Sequence, residues 1–214
     1  PEHTKAHEAG EIHIHDMDYQ MHKGMFNCCL VDIKNVLDNG TVMNGKMVDS
    51  PKSFQVACTV STQVMAAVAS SQYGGQSINI KHLGKYLRKT YDKAYGKALK
   101  KYLNRGLSQE EAEKCAHEDA MERRQEDLSS GVQTIQYQIN TLMTTNGQSP
   151  FVTLFLDIDE ESEYVEEIAA IVEEILVQRI KGIKNEAGVY VTPAFPKLIY
   201  VLYPHNNLTG GKYD

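Results

Sequence analysis

Tryptophan is missing from the 214 residues, and that absence has no functional reading. Other absences exclude more. No apolar run approaches the roughly 20 residues a membrane-crossing helix needs. The N-terminus, polar and rich in His and Glu, shows no secretory signal. A basic surplus is lacking as well: 22 Lys and Arg stand against 28 Asp and Glu, a net charge of −6. Nucleic-acid surfaces carry a basic footprint, so that class is set aside. Polyphosphate ligands are not, because a local lysine cluster or a helix N-terminus holds them inside an acidic protein. The expectation is a cytoplasmic chain with neither membrane nor nucleic acid as partner.

Cysteine is scarce. Cys28, Cys29, Cys58 and Cys115 sit in no zinc-type spacing, so no metal site is expected. Adjacent Cys28 and Cys29 meet disulfide geometry only with strain, which favours free thiols in a cytosolic chain. There is no repeat and no low-complexity segment. What is there is ordinary: 42% hydrophobic and 23% charged residues, as in soluble globular proteins. The length suits one large domain or two small ones. The chain opens with Pro1 rather than Met and stops in a turn-like segment over 208–214, so a piece of a longer protein is expected.

Residues 1–24 read as an irregular polar lead-in, and 26–31 as a buried strand. Asp38-Asn39-Gly40 and Asn44-Gly45 are turn signals. Ser50-Pro51 opens a helix, with proline at the first helical position. Val56, Val60, Val64 and Val68 mark its apolar face, and Tyr73-Gly74-Gly75 ends it. A second helix starts near Lys81, with Leu83, Leu87, Tyr91, Tyr95, Ala98 and Tyr102 as its stripe and Asn104-Arg105-Gly106 as its stop. Ser108-Gln109-Glu110-Glu111 is a capping box for a third helix, which runs on through Val132, Ile135 and Ile139, with Ser129-Ser130-Gly131 as the place for a break. Long helices in succession predict a hairpin or bundle, the kind of surface on which subunits pair. The last third predicts a strand over 151–156 buried on both faces, a helix over 160–181 and a strand over 197–203. That order is a crossover unit with parallel strands, so the fold class is α/β.

Four groups of residues bear on chemistry. A thiol on a strand has one special use, to give or take a hydrogen atom. Successive strand side chains point to opposite faces, so Cys28 and Cys29 cannot share a cavity. The blander account makes both small buried hydrophobes. His13 and His15, two apart on an extended chain, share one side, but two ligands do not make a metal site. Asn146-Gly147-Gln148-Ser149-Pro150 is a tight turn whose N–H groups could also meet substrate oxygens. Gln63 sits on a helix among small residues, where a glutamine is most often simply solvated.

Three stretches together resemble one family, over about residues 8–204. Asn27, Cys28 and Asp32 match an Asn-Cys motif followed by apolar residues and an Asp. Ile12-His13-Ile14-His15-Asp16 matches Ile-His-x-His-Asp, and Asn146-Gly147-Gln148-Ser149-Pro150-Phe151 departs from Asn-Gly-Gln-Thr-Pro-Phe only at Ser149. The family is the catalytic subunit of the anaerobic (class III) ribonucleotide reductases, which are glycyl-radical enzymes.

The resemblance implies half of a ten-stranded α/β barrel, with long antiparallel helices at a homodimer interface. It divides the chain into a lead-in and first strand (1–50), a helical dimerisation and effector region (51–145) and a strand-helix-strand unit (146–214). It makes Cys28 the hydrogen donor on the 2′ side of a ribonucleoside triphosphate, across from a second cysteine whose thiyl radical removes the 3′ hydrogen. His13 and His15 become active-site neighbours, His13 a proton carrier. Asn27, Asn146, Gln148 and Ser149 become substrate contacts; Gln63 and Lys93 become base and phosphate contacts for a dNTP effector. It also implies a glycyl radical made by an iron-sulfur/S-adenosylmethionine activase, formate as reductant, and ATP and dNTP effectors. The radical loop, second cysteine, four-cysteine metal cluster and ATP domain are not in residues 1–214, so this segment alone is expected to be inactive. Two alternatives stand beside this reading. One is a dNTP-binding regulatory module without catalysis. The other is a different glycyl-radical enzyme, such as a pyruvate formate-lyase relative, which lacks the Asn-Gly-Gln-Ser-Pro-Phe pattern and the long helical insertion.

Overall fold

The structure, a computed structural model, describes residues 2–14, 26–71, 73–143, 149–205 and 208–211. Its centre is a parallel sheet of β1 (Phe26–Leu30), β4 (Tyr73–Asn79), β5 (Val152–Leu156) and β8 (Lys197–Tyr200), in that spatial order. Two small hairpins complete the strands among the described residues: β2 (Thr41–Met43) with β3 (Lys46–Val48), and β6 (Ile183–Lys184) with β7 (Tyr190–Val191). Among the described residues the α-helices are α1 (Glu2–Glu8), α2 (Ile33–Asn39), α3 (Phe54–Ala69), α4 (Gly84–Asn104), α5 (Gln109–Thr141) and α6 (Val165–Lys181). Among the described residues no helix is long and apolar enough to cross a membrane.

Each new strand joins the sheet on the same side, in chain order. Parallel crossovers are almost always right-handed, so this order sends the connecting helices to one face. Burial agrees. Gln76, Ile78, Val152, Leu154 and Leu156 share one face, all buried in a single core with residues of α2 to α6. Ser77, Asn79, Thr153 and Phe155 face the other way and are only half-buried. The strand over 151–156 therefore alternates rather than being covered on both faces.

Short-range signals hold. Asn44 and Gly45 both have positive φ, 47° and 70°, the two-residue hairpin turn that matches strand twist. The Ser108 side chain accepts from Glu111 N–H while Glu111 accepts from Ser108 N–H, the expected capping box. α4 and α5 are joined through Arg105–Ser108 and pack as an antiparallel hairpin. Near its tip, Lys101 Nζ and Tyr102 Oη donate to Asp119 at 3.1 and 3.0 Å.

Long-range contacts change the rest. α3 begins at Phe54 instead of at Pro51, because its first N–H groups find partners on the hairpin: Thr90 Oγ1 accepts from Phe54 N–H at 2.9 Å, and Asp127 Oδ2 from Gln55 N–H at 3.3 Å. Val56 is half out of the core, and Phe54, Ala57, Cys58 and Met65 carry the packing. No break interrupts α5 at Gly131; that glycine lets α5 close on Phe54, whose ring a Cβ would meet at 2.6 Å. α3 ends at Ala69, before Tyr73-Gly74-Gly75 as expected, but those residues also start β4, where pairing with β1 outweighs the poor strand propensity of glycine. Part of the lead-in is helical as well: α1 forms over Glu2–Glu8 and buries no residue.

Candidate functional site

Cys28 is exposed, and the sheet register explains why. It pairs with Gly75, while Cys29 pairs with Gln76 and Leu30 with Ser77. Directly opposed residues share a face. Gln76 turns toward the helices, where its Nε2 donates to Met65 O of α3 at 2.7 Å. Half-buried Cys29 follows it to that side. Cys28 and Leu30 stand on the face that bears no core, so the two adjacent thiols are separated by the strand itself.

The second motif reaches the same end of the sheet. Gln76 pairs with Val152, which puts Phe151 in the row of Gly75 and Cys28. Gln76 N–H also donates to Phe151 O at 3.0 Å. Ser149 is exposed two residues earlier, just before buried Pro150. Residues 26–28 and the segment entering β5 thus flank the first half of β4. For Asn27 the structure describes only the backbone, in β1; His15, Asn146 and Gln148 lie outside the described residues.

His13 is exposed, its ring 5.5 Å from that of His7, and His7 Nδ1 accepts the Ile14 N–H at 3.1 Å. The sequence reading missed His7; its spacing of six from His13 becomes a contact only because the chain folds back after α1. Gln63 on α3 and Lys93 on α4 are both exposed, and no hydrogen bond brings them together. Among the described residues no group of three His, Cys, Asp or Glu is placed to hold a metal.

A polar cluster that the sequence reading missed marks the opposite, C-terminal end of the sheet. Asp157, 4% exposed, follows β5. It accepts from Asn79 Nδ2 at 2.7 Å and pairs with Lys81 Nζ at 3.0 Å; Lys81 also reaches Asp159 at 3.4 Å. Burial would push the Asp157 carboxyl up, but the bonds from Asn79 and Lys81 outweigh it and hold the group below its usual value. The Lys81 ammonium is moved up by the same two aspartates, against desolvation. The charge of Asp157 also pushes the Tyr203 phenol, beyond β8, up. The signal in the sequence was Asp157-Ile158-Asp159 directly after an apolar strand. Asn79 lies four residues past the Cys28 row, about 13 Å along the sheet. The cluster is therefore a clasp on the strand exits, remote from the thiol.

The sequence has relatives. An anaerobic ribonucleoside-triphosphate reductase of Enterobacteria phage T4 is 37% identical over 210 residues, covering 95% of this chain and 31% of that protein. The proteins of the same description from Haemophilus influenzae and Escherichia coli are 35% and 36% identical, covering 99% and 93% of this chain and 28% and 26% of theirs. The chain thus spans less than a third of the length of the curated relatives it matches. Among solved structures, the anaerobic ribonucleotide reductase from Thermotoga maritima in complex with dATP and CTP shares the fold, with a TM-score of 0.52 at 14% identity, over 83% of this chain and 28% of that one. The family described as anaerobic ribonucleoside-triphosphate reductase matches residues 1–214 from end to end, and the chain belongs to it.

Proposed function

We propose that this chain is the segment of an anaerobic ribonucleoside-triphosphate reductase that builds the first half of a ten-stranded barrel and supplies one active-site thiol. The observation that carries the reading is the placement of Cys28. It is exposed on the coreless face of a parallel sheet whose strands join in chain order, with the helices on the other side. A sheet wound this way becomes a barrel when further strands continue the series, and its coreless face becomes the interior.

In that interior Cys28 gives its hydrogen on the 2′ side of the ribose as the 2′ hydroxyl leaves as water. Formate supplies the two electrons and ends as carbon dioxide, so the reduction balances. The glycyl radical, made by a separate iron-sulfur/S-adenosylmethionine activase, supplies the unpaired electron. Asn27 and the segment carrying Asn146, Gln148 and Ser149 hold the substrate, with His13 and His15 beside it and His13 as the proton carrier. The α3 to α5 region pairs two copies and binds a dNTP effector through Gln63 and Lys93. The Thermotoga protein carries dATP and CTP, which supports separate effector and substrate nucleotides here.

The test is Cys28→Ser in the full-length protein. Ribonucleotide reduction should be abolished while sedimentation still shows a dimer. Turnover at the wild-type rate would remove Cys28 from the chemistry, and a clean monomer of the unmodified protein would remove the dimer.

A further inference from the structure

Gly75 is half-buried, and its register opposite Cys28 puts it on the face of the sheet that bears no core. It lies in β4, paired in parallel register with β1, an extended strand conformation that any residue adopts. β4 is flanked by strands on both sides, where β-branched residues are favoured and glycine costs roughly 0.5–1 kcal/mol. Glycine inside a strand often marks a place where another group approaches the backbone closely. The register shows where such a group would sit. Gly75 pairs directly with Cys28, and its neighbour Gln76 turns to the helices, so the side chain that is missing would stand beside the thiol on the coreless face.

We infer that Gly75 is a specificity-determining residue: its bare Cα is the floor on which the sugar of a ribonucleotide lies to reach the Cys28 sulfur. The inference rests on the reading of Cys28 as an active-site thiol. A side chain at position 75 would occupy the space over the strand next to the sulfur, and the loss should grow with its size. One methyl group in a close-fitting site changes discrimination by about tenfold or more. The fold itself predicts the opposite trend, since alanine and valine both suit a central strand better than glycine does.

The experiment uses the full-length reductase with CTP as the probe. In the unmodified protein, CTP should slow alkylation of Cys28 by iodoacetamide, followed by peptide mass spectrometry. Absence of protection would sink the reading of Cys28 itself. Given protection, Gly75→Ala should raise KM for CTP about tenfold with kcat largely kept, and Gly75→Val should lose both protection and turnover. Melting temperatures should hold or rise in both. Glu186→Ala, exposed in the turn between β6 and β7 and outside every site named above, serves as the control with unchanged KM. If Gly75→Val fails to fold, the alanine variant decides. Wild-type KM and wild-type protection in Gly75→Ala would overturn the inference while leaving Cys28 in place.

Discussion

Thr90 donates its hydroxyl hydrogen to Asp127 Oδ2 across 2.9 Å, and this buried pair, 37 residues apart, is the cap of a third helix. Thr90 Oγ1 takes the Phe54 N–H and Asp127 Oδ2 the Gln55 N–H, while Arg123 Nη2 holds the other carboxylate oxygen at 3.0 Å. Ser53, in the N-cap position, makes no capping bond of its own. The hairpin of α4 and α5 thereby fixes where α3 starts, and α3 in turn covers the sheet.

Removing the carboxylate should therefore cost more than one local bond. Asp127→Ala leaves the Gln55 N–H, the Thr90 hydroxyl and Arg123 without their shared acceptor. Hydrogen bonds to charged groups contribute about 1.5–3 kcal/mol each way, so a loss near 3 kcal/mol is expected in urea unfolding, with an unchanged m value. Thr90→Val should cost about 1 kcal/mol. A loss under 0.5 kcal/mol for Asp127→Ala would show that α3 is positioned by its apolar face alone.

Glycines on the two hairpin helices should respond in opposite directions to alanine. Gly96 has open space around it, so Gly96→Ala should stabilise by about 0.5–1 kcal/mol through helix propensity. At Gly131 the added Cβ meets the Phe54 ring at 2.6 Å and Cys58 Sγ at 3.0 Å. There the overpacking, about 1–3 kcal/mol, exceeds the propensity gain, and Gly131→Ala should lower the melting temperature. Equal shifts at both positions would contradict the close approach of α5 to α3.

What the sequence made legible was local. The capping box at Ser108, the Asn44-Gly45 turn and the opposite facing of Cys28 and Cys29 depend on residues within a few positions of each other. The parallel crossover from β5 through α6 to β8 was also legible, because a strand, a long amphipathic helix and a strand leave few ways to connect. What stayed hidden depends on partners far away. β4 has two glycines among its first three residues and becomes a strand only because β1 and β5 pair with it. The start of α3 is set 36 residues downstream by Thr90. The clasp joins Asn79 to Asp157 across 78 residues.

The four thiols should separate in an alkylation time course of this segment. Cys28 is exposed, Cys29 and Cys115 are half-buried, and Cys58 is fully buried. Burial pushes the Cys58 thiol well up, and the nearby Asp127 charge adds to it, so its thiolate is scarce as well as shielded. Cys28 should be modified first and Cys58 only on unfolding. Early labelling of Cys58, seen by peptide mass spectrometry, would mean that the contact of α3 with Gly131 opens readily.

Asp38 gives the fold a defined acid limit. Burial alone would raise its pKa, but hydrogen bonds from Lys85, Lys34 and Tyr86 outweigh that and bring it to about 2, from 3.8. Lys85 Nζ and Tyr86 Oη both donate to Oδ1 at 2.9 Å, and Lys34 Nζ to Oδ2 at 3.1 Å. The folded-state value lies below the unfolded one. The carboxylate therefore stabilises the fold fully above about pH 4, and the contribution fades as pH falls through about 2. Its side chain is 24% exposed, so solvent screening trims the contribution to on the order of 1–2 kcal/mol. Asp38→Asn should be less stable than the parent by that amount at pH 7, and the gap should close by pH 2. Urea unfolding of both proteins at pH 7, 4 and 2.5 measures it. A gap that persists unchanged at pH 2.5 would assign the stabilisation to neutral hydrogen bonding rather than to the charge that ties α2 to α4.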